Sequence, residues 1–123
     1  MDAFGHVNNV TFFRYLEASR MDLLFQLASE IPEEKPLSEG GVVSHQELYY
    51  VQQMVYRREP VVVETWIADI KAARLRFHHV VKDYDTIYVR GSAEMVPYDF
   101  GTHRPRRFTD RERKFFEEFR PDS

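Results

Sequence analysis

Apolar residues first recur with helical spacing between Asn9 and Ser29. Five of them share one face of a 3.6-residue helix: Phe13, Leu16, Leu23, Leu24 and Leu27. Further apolar side chains widen this face until it covers most of the circumference: Phe12, Tyr15, Met21, Phe25 and Ala28. We therefore predict one long helix that other elements cover on most of its sides.

The segment from Ile31 to Gly41 ends this helix, because it holds two prolines, two glycines and a charge run. Four runs rich in β-branched and aromatic residues follow: Val42–Tyr56, Val61–Ile70, Arg74–Lys82 and Ile87–Val96. In the third run Leu75, Phe77, His79 and Val81 alternate with basic residues, which is typical of a half-buried strand. The short turns at Arg57–Pro60 and Asp83–Asp85, with Pro97 closing the last strand, predict an antiparallel meander.

Thr109 is placed to cap a short helix near the carboxyl end. Phe115, Phe116 and Phe119 share a face of this helix, and Pro121 lies beyond it. The order of elements predicts an α+β fold in which one antiparallel sheet curls around one long helix. We expect a single domain over 1–123, and a homodimer or homotetramer, because so small a sheet leaves apolar area uncovered.

Composition excludes several classes of protein. With no cysteine among 123 residues, the chain has no disulfide, thiolate zinc site or cysteine nucleophile. No apolar run is long enough to span a membrane and no signal segment opens the chain, so we expect a cytoplasmic protein. The net charge of -3 gives no general attraction to nucleic acid. We expect neither a nucleic-acid partner nor a membrane partner.

Common catalytic motifs are missing from the sequence. The five histidines never occur at zinc-ligand spacing, so we expect no metal site. The G-x-S-x-G, G-x-G-x-x-G and P-loop patterns do not occur either, which argues against serine-hydrolase, dinucleotide and P-loop chemistry. We expect no cofactor.

The opening stretch holds the remaining chemistry. Asp2, Gly5, His6 and two asparagines precede the long helix directly. Helix N-termini present unpaired N–H groups and a positive dipole end, which can polarise a carbonyl group. An ordinary N-cap at Asn8 or Asn9 and a mobile terminal Asp2 explain the same residues without any function.

The run D-A-F-G-H-V-N-N, followed by Phe12, Tyr15, Glu17 and Arg20, resembles the hotdog-fold thioesterases of the 4-hydroxybenzoyl-CoA thioesterase family. That family's pattern is approximately D-x-x-G-H-V-N-N-x-x-Y-x-x-Y-x-E-x-x-R, and Phe12 replaces its first tyrosine. The resemblance extends to Arg104-Pro105 and so spans nearly the whole chain. Relatives carry one further strand before the aspartate, so either this chain is shortened or its sheet lacks an edge strand.

The resemblance implies a role for each matching residue. Asp2 is the expected nucleophile or general base on a thioester, the Asn9 N–H the oxyanion donor, and His6 a third catalytic candidate. Gly5, Val7, Asn8 and Glu17 are expected to contact the substrate. The substrate is then an acyl-CoA, and its phosphates suit the three closely spaced cations Arg104, Arg106 and Arg107.

Three alternatives stay open at this point. The substrate can be an acyl-carrier-protein thioester, or the chain can be a non-catalytic module that binds acyl-CoA. A hydratase on the same fold is disfavoured, because such relatives use an Asp/His pair that the segment from Pro32 to Gly41 lacks. Glu17 and Arg20 at i,i+3 spacing also predict a structural ion pair on the apolar side of the helix.

Overall fold

A computed structural model describes residues 9–31, 41–52, 61–84 and 86–121, and Asn9 through its backbone alone. In this part of the chain two helices and five strands follow in order: α1 Asn9–Glu30, β1 Gly41–Tyr50, β2 Val62–Lys71, β3 Arg74–Asp83, β4 Thr86–Asp99, β5 Arg104–Pro105 and α2 Asp110–Glu117. The predicted α+β class is confirmed, and so are both helices and all four long strands. The two-residue strand β5 was not predicted.

The long strands form one antiparallel sheet in the order β1-β4-β3-β2, with β5 beside the end of β4. The prediction of a simple meander is therefore wrong for β1, which lies beside β4 and not beside β2. Hydrophobic alternation determines which face of a strand is buried, but it does not determine which strand lies next to it. The 14-residue β4 pairs with β1 along one side and with β3 along the other.

Two predicted strand ends are also corrected. β1 ends at Tyr50 and not at Tyr56, and the N–H groups of Val51 and Gln52 both donate to the Tyr88 carbonyl. Residues 53–60, which include the predicted turn at Arg57–Pro60, lie outside the described residues. Pro97 does not end β4, because the strand continues to Asp99 and the Pro97 carbonyl accepts from the N–H of Arg106 at 3.0 Å.

One face of α1 packs on the sheet, and its buried apolar residues are Phe12, Leu16, Leu23, Leu24 and Leu27. The opposite side is open to solvent in the single chain, with Val10 59% and Phe25 57% exposed. The expectation that α1 is covered on most sides is thus met on one face only. Among the described helices, α1 included, none is long and apolar enough to cross a membrane.

The core has two parts under the two halves of α1. The smaller cluster lies under the first half and consists of Phe12, Leu16, Val81 and Val89. The larger cluster lies under the second half and consists of Leu23, Leu24, Leu27, Ile31, Ile67, Ile70, Leu75, Phe77, Met95, Phe108, Phe115 and Phe116. The inward alternation predicted for β3 is confirmed, because Leu75, Phe77, His79 and Val81 are all fully buried.

α2 closes the larger cluster at its outer end. As predicted, Thr109 is its N-cap, and the Thr109 hydroxyl accepts from the backbone N–H of Glu112 at 3.1 Å. The Glu112 carboxylate in turn accepts from the N–H of Thr109, which completes a capping box. Beyond the helix, the Phe119 carbonyl accepts from the N–H of Ile67 on β2 at 3.0 Å.

A side chain of α1 comes close to the sheet at Gly91 on β4. A Cβ atom added at Gly91 would lie 2.7 Å from Cδ1 of Leu16 and 3.2 Å from the backbone oxygen of Glu47. Both distances are shorter than ordinary carbon contacts. A side chain at this position would therefore require the end of the Leu16 side chain to shift.

Candidate active site

α1 begins at Asn9, so the helix start lies where the sequence predicts it. The residues expected to surround the thioester at this point are Asp2, Gly5, His6, Val7 and Asn8, and all five lie outside the described residues. The roles assigned to them stay predictions. The structure shows that α1 begins directly after this segment, so the positive end of the helix dipole lies next to these residues in the chain.

Aromatic side chains pack below the start of α1. Phe12 is 1% exposed and meets the ring of Tyr15 edge to face at 6.2 Å and that of Tyr50 at 5.6 Å. Phe12 replaces the tyrosine that is common in the related pattern. Because this side chain is buried, the phenyl ring is well suited to the position, where a tyrosine hydroxyl would need a partner.

A chain of polar side chains lies between the two apolar clusters, and two of its members, Arg20 and His79, are buried. Arg20 on α1 donates from Nη1 to Nε2 of His79 at 3.2 Å and from Nη2 to Oε1 of Gln46 at 3.1 Å. On the other side of the ring, Nδ1 of His79 lies 2.8 Å from the Thr65 hydroxyl, which contacts the Ser19 hydroxyl at 2.5 Å. These five side chains link the middle of α1 to β1, β2 and β3.

The contacts determine the tautomer of His79. A guanidinium group only donates hydrogen bonds, so Nε2 of a neutral His79 accepts from Arg20, and Nδ1 carries the proton and donates to Thr65. Burial lowers the pKa of His79 to about 3, and the charges of Arg20 and His78 contribute further. His79 is consequently neutral at physiological pH.

The predicted ion pair between Glu17 and Arg20 is wrong. Arg20 is 4% exposed and hydrogen-bonds to His79 and Gln46, whereas Glu17 is exposed and acts on Arg20 only through its charge. Burial lowers the pKa of Arg20, and the charge of Glu17 partly opposes this. The i,i+3 spacing allowed the pair, but no pattern along the chain indicated that a histidine and a glutamine were nearer partners.

The predicted arginine cluster divides into two kinds of residue. Arg104 and Arg107 are exposed, which suits contact with a solvated phosphate. Arg106 instead forms a two-pronged salt bridge with the buried Glu112, with both N···O distances 2.9 Å. Arg106 thereby neutralises the carboxylate that caps α2. The phosphate-binding hypothesis is better suited to Arg104 and Arg107 than to Arg106.

These arginines and the start of α1 lie at opposite ends of the sheet. Phe12 packs beside Val89 near the beginning of β4, whereas β5 and Arg106 contact the other end of β4, at and beyond Pro97. Eight residues of extended strand between Val89 and Pro97 span about 26 Å. Within one chain, the predicted phosphate contacts are therefore far from the helix start.

Residues 1–116 match the family model of the thioesterase-like superfamily. The chain belongs to this superfamily. It is accordingly a thioester hydrolase, as the motif at Asp2–Arg20 predicted. A comparison with curated proteins found no match. No group of three metal-ligating side chains occurs within the described residues.

Solved structures of other proteins share the fold of this chain. A predicted thioesterase from Bacillus stearothermophilus is 25% identical with a TM-score of 0.85, over 99% of this chain and 89% of that one. A thioesterase from Thermus thermophilus, complexed with coenzyme A and Zn, is 22% identical with a TM-score of 0.82, over 99% and 88%. A DHNA-CoA thioesterase from Staphylococcus aureus is 17% identical with a TM-score of 0.76, over 96% and 81%. The predicted hotdog fold is thus confirmed.

The polar chain is the part of the site region that the sequence did not reveal. His79 was assigned only to the buried face of β3, and Ser19, Gln46 and Thr65 were not singled out. One available signal was a histidine in the inward series Leu75, Phe77, Val81, where a buried imidazole needs partners for both nitrogens. Which partners it finds depends on strand neighbours that alternation does not reveal.

Proposed function

We propose that this thioesterase hydrolyses acyl-CoA, with Asp2 as nucleophile or general base and the Asn9 N–H as oxyanion donor. Water is consumed, and the products are a carboxylic acid and CoA. The observation that carries the proposal is the start of α1 at Asn9, seven residues after Asp2, which is the one carboxylate among residues 1–8. The Thermus thermophilus relative complexed with coenzyme A supports the choice of CoA.

The chemistry follows from the charge that develops during attack. When water or the Asp2 carboxylate adds to the thioester carbon, negative charge collects on the carbonyl oxygen. A backbone N–H fixed at the positive end of α1 stabilises this oxygen without reorganising, and one such donor is worth about 3 kcal/mol. Collapse of the intermediate releases the CoA thiolate. In the nucleophilic route water then cleaves the acyl-aspartate, and in the general-base route Asp2 takes the proton from the attacking water.

The remaining residues have supporting roles in this proposal. Gly5 lets the loop backbone approach the substrate, and His6, Val7 and Asn8 position the thioester and Asp2. Glu17 lies further along α1 and contacts the acyl portion. Arg104 and Arg107 bind the phosphates of CoA. We also propose that residues 1–123 act as one cytoplasmic domain.

The position of Arg104 and Arg107 at the far end of β4 from the helix start favours a site shared between subunits. If one CoA reaches both a helix start and an arginine pair, those elements are most easily supplied by two copies of the chain. Within the described residues β1 is hydrogen-bonded on one side only, and Val42 and Val43 on it are 40% and 41% exposed. We therefore propose a homodimer, or a tetramer built from it. An active monomer in light scattering at micromolar concentration would contradict this.

The central experiment is a thiol-release assay with a panel of acyl-CoAs, on wild type and Asp2→Asn. Asp2→Asn should lower turnover about 100-fold or more, which is the usual general-base factor. Asp22→Asn is the matched control, because Asp22 is an exposed carboxylate on α1 and should leave turnover unchanged. Near-normal activity of Asp2→Asn would show that the assignment is wrong.

The same assay separates the alternatives. A wild type that binds acyl-CoA but releases no thiol would be the non-catalytic module. Faster turnover of acyl-carrier-protein thioesters than of the matching acyl-CoA would identify the carrier protein as the partner. Titration of the enzyme with CoA measures whether the enzyme binds the CoA portion of the substrate. This measurement is needed to recognise a non-catalytic module and to compare acyl-CoA with acyl-carrier-protein thioesters.

A further inference from the structure

Among the described residues, no carboxylate hydrogen-bonds to the buried guanidinium group of Arg20. Its side chain is 4% exposed, and its partners, His79 and Gln46, are both neutral. Within residues 9–31, 41–52, 61–84 and 86–121, Glu17 is the acidic residue whose charge acts on the guanidinium group of Arg20. Glu17 is exposed and acts through its charge alone. Buried charges in proteins are normally paired, since an unpaired one is costly. In the described part of the chain, Arg20 is thus hydrogen-bonded to neutral groups and is not in contact with a carboxylate.

A cavity of about 230 Å³ adjoins this guanidinium group, between α1 and the start of β1. Four of its lining residues are apolar, and they come from α1, β1 and β4: Met21, Leu24, Val43 and Met95. Arg20 and Gln46 lie on the wall beside them, and Glu17 lines the cavity from the exposed side of α1. A mostly apolar space with one cation in its wall suits a small molecule with an apolar body and an anionic head.

We propose that this cavity binds a small organic carboxylate, with the apolar body against Met21 and Met95 and the carboxylate on Arg20. A guanidinium group has five N–H donors, and the contacts to His79 and Gln46 use two of them. A carboxylate bound side-on takes two parallel donors. The ligand would supply a hydrogen-bonded negative charge beside Arg20, where the described part of the chain places only the exposed charge of Glu17. Methionine side chains adapt to ligands of different shape, which suits a range of chain structures.

A carboxylate fits this cavity better than a phosphate does. The remaining walls are largely apolar, and the single cation matches a single negative charge. Phosphate carries more charge and more acceptor oxygens than Arg20 and Gln46 can satisfy. Glu17 repels a bound carboxylate weakly, because it is exposed on the rim of the cavity and water and salt screen its charge, whereas Arg20 hydrogen-bonds the carboxylate directly.

The carboxylate has two conceivable sources. Arg20 lies eleven residues beyond Asn9, about 16 Å along α1 at 1.5 Å per residue. A ligand at Arg20 therefore does not overlap a thioester carbonyl at the helix start. The ligand is either a free carboxylic acid, which is the product class of a thioesterase, or the far carboxylate of an acyl chain. Only the second source rests on the proposed function.

The first experiment measures binding without catalysis. The full chain is titrated calorimetrically with hexanoate, with hexan-1-ol as the neutral counterpart and with inorganic phosphate. Hexanoate should bind at least tenfold more tightly than hexan-1-ol, and phosphate should not bind in this cavity. Arg20→Met should remove the preference for hexanoate, whereas Arg14→Met, at an exposed arginine of the same helix, should keep it.

Methyl-labelled methionine gives a readout that needs no variant. Hexanoate should shift the methyl resonances of Met21 and Met95 in the wild-type protein, so the test stands even if Arg20→Met does not fold. Unchanged resonances would overturn the proposal. So would equal affinity for hexanoate and hexan-1-ol, or an unaltered preference in a folded Arg20→Met variant.

The second experiment identifies the source of the carboxylate. Acyl-CoAs of increasing chain length are compared with ω-carboxyacyl-CoAs of the same lengths. If the acyl chain supplies the carboxylate, one length of the ω-carboxy series should show a KM at least fivefold lower than its unsubstituted partner, and Arg20→Met should abolish this difference. If no length shows it while hexanoate binds at Arg20, the ligand is the free acid. If no acyl-CoA is hydrolysed, the proposed function fails, whereas binding of hexanoate is unaffected.

Discussion

The two halves of α1 differ in the amount of core beneath them. The second half packs against residues of three strands and of α2 in the larger cluster. The first half has Val81 and Val89 as its buried partners, with a partly exposed rim of aromatic and aliphatic side chains around them. The proposed chemistry lies at the first half. Functional regions of proteins are commonly among the locally less stable ones. Here the first half of α1, with the smaller cluster beneath it, continues directly into the second half, which packs on the larger cluster.

The sharpest test of this contrast is a pair of leucine truncations on α1. Leu16 is 1% exposed in the smaller cluster and Leu24 is 4% exposed in the larger one. Each Leu→Ala change should lower the free energy of unfolding by about 2–5 kcal/mol. We expect Leu24→Ala near the top of this range and Leu16→Ala near the bottom, since rim side chains can relax into the space at Leu16.

Urea denaturation measures both losses, with the exposed Gln26→Ala as a control that should stay within about 0.5 kcal/mol of wild type. A larger loss for Leu16→Ala than for Leu24→Ala would reverse the comparison. Losses below about 1 kcal/mol at both positions would show that α1 is peripheral to the core.

The boundary between the halves should make stability depend on pH. The pKa of His79 is about 3 in the folded protein, against about 6.5 when unfolded. Between these values the unfolded chain binds a proton that the folded chain does not, so stability falls as pH falls. Between pH 6.5 and pH 4.5 this contributes a loss of at most about 2.5 kcal/mol.

His79→Gln removes the ring that contacts Arg20 and Thr65, so its free energy of unfolding should be lower at pH 7. Because glutamine does not titrate, this free energy should also change less between pH 7 and pH 4.5. His103→Asn alters an exposed histidine and tolerates the positive φ of 57° at that position, so it should keep the wild-type slope. Equal slopes in all three proteins would remove His79 from the explanation.

The close crossing at Gly91 gives a smaller effect at the first half. Gly91→Ala should cost about 1–3 kcal/mol, because the added Cβ meets Leu16 and the Glu47 backbone. Leu16→Ala in the same chain should recover part of that loss, a coupling that a double-mutant cycle measures. Ser92→Ala, at the next position of β4, should have little effect. Strict additivity of the Gly91 and Leu16 changes would mean that they do not touch.

The smallest expected effect concerns the arginines. The double change Arg104→Ala/Arg107→Ala should raise KM for acyl-CoA about fivefold with little change in kcat, as expected for two exposed contacts of about 0.5 kcal/mol each. Arg106→Ala should instead lower the Tm, because it leaves the buried Glu112 unpaired. A KM change for Arg106→Ala at unchanged Tm would contradict this division.

Periodicity predicted most of the fold. The bounds of α1 and β3 were predicted to within one residue, because each has a long regular pattern that one buried face imposes. The position of β1 beside β4 was not predictable, since strand order depends on pairing between distant residues. The salt bridge of Arg106 was not predictable for a related reason. Three nearby cations suggested one role, whereas the buried Glu112 that separates Arg106 from the others is recognisable only in the folded chain.

The N–H of Ile67 donates a hydrogen bond to the Phe119 carbonyl, so the segment that follows α2 stabilises the edge of β2. Ile67 is fully buried, and the sheet becomes irregular between Ile67 and Asp69, so this amide depends on a chain segment about fifty residues away. The hydrogen-exchange rate of the Ile67 amide should therefore report whether α2 and the residues after it are packed on the sheet. A bulky fusion placed directly after Phe119 would weaken the hydrogen bond between Ile67 and Phe119, whereas a flexible spacer before the fusion would leave it intact. A tag fused close to Phe119 is thus expected to destabilise β2, the outer strand of the described sheet.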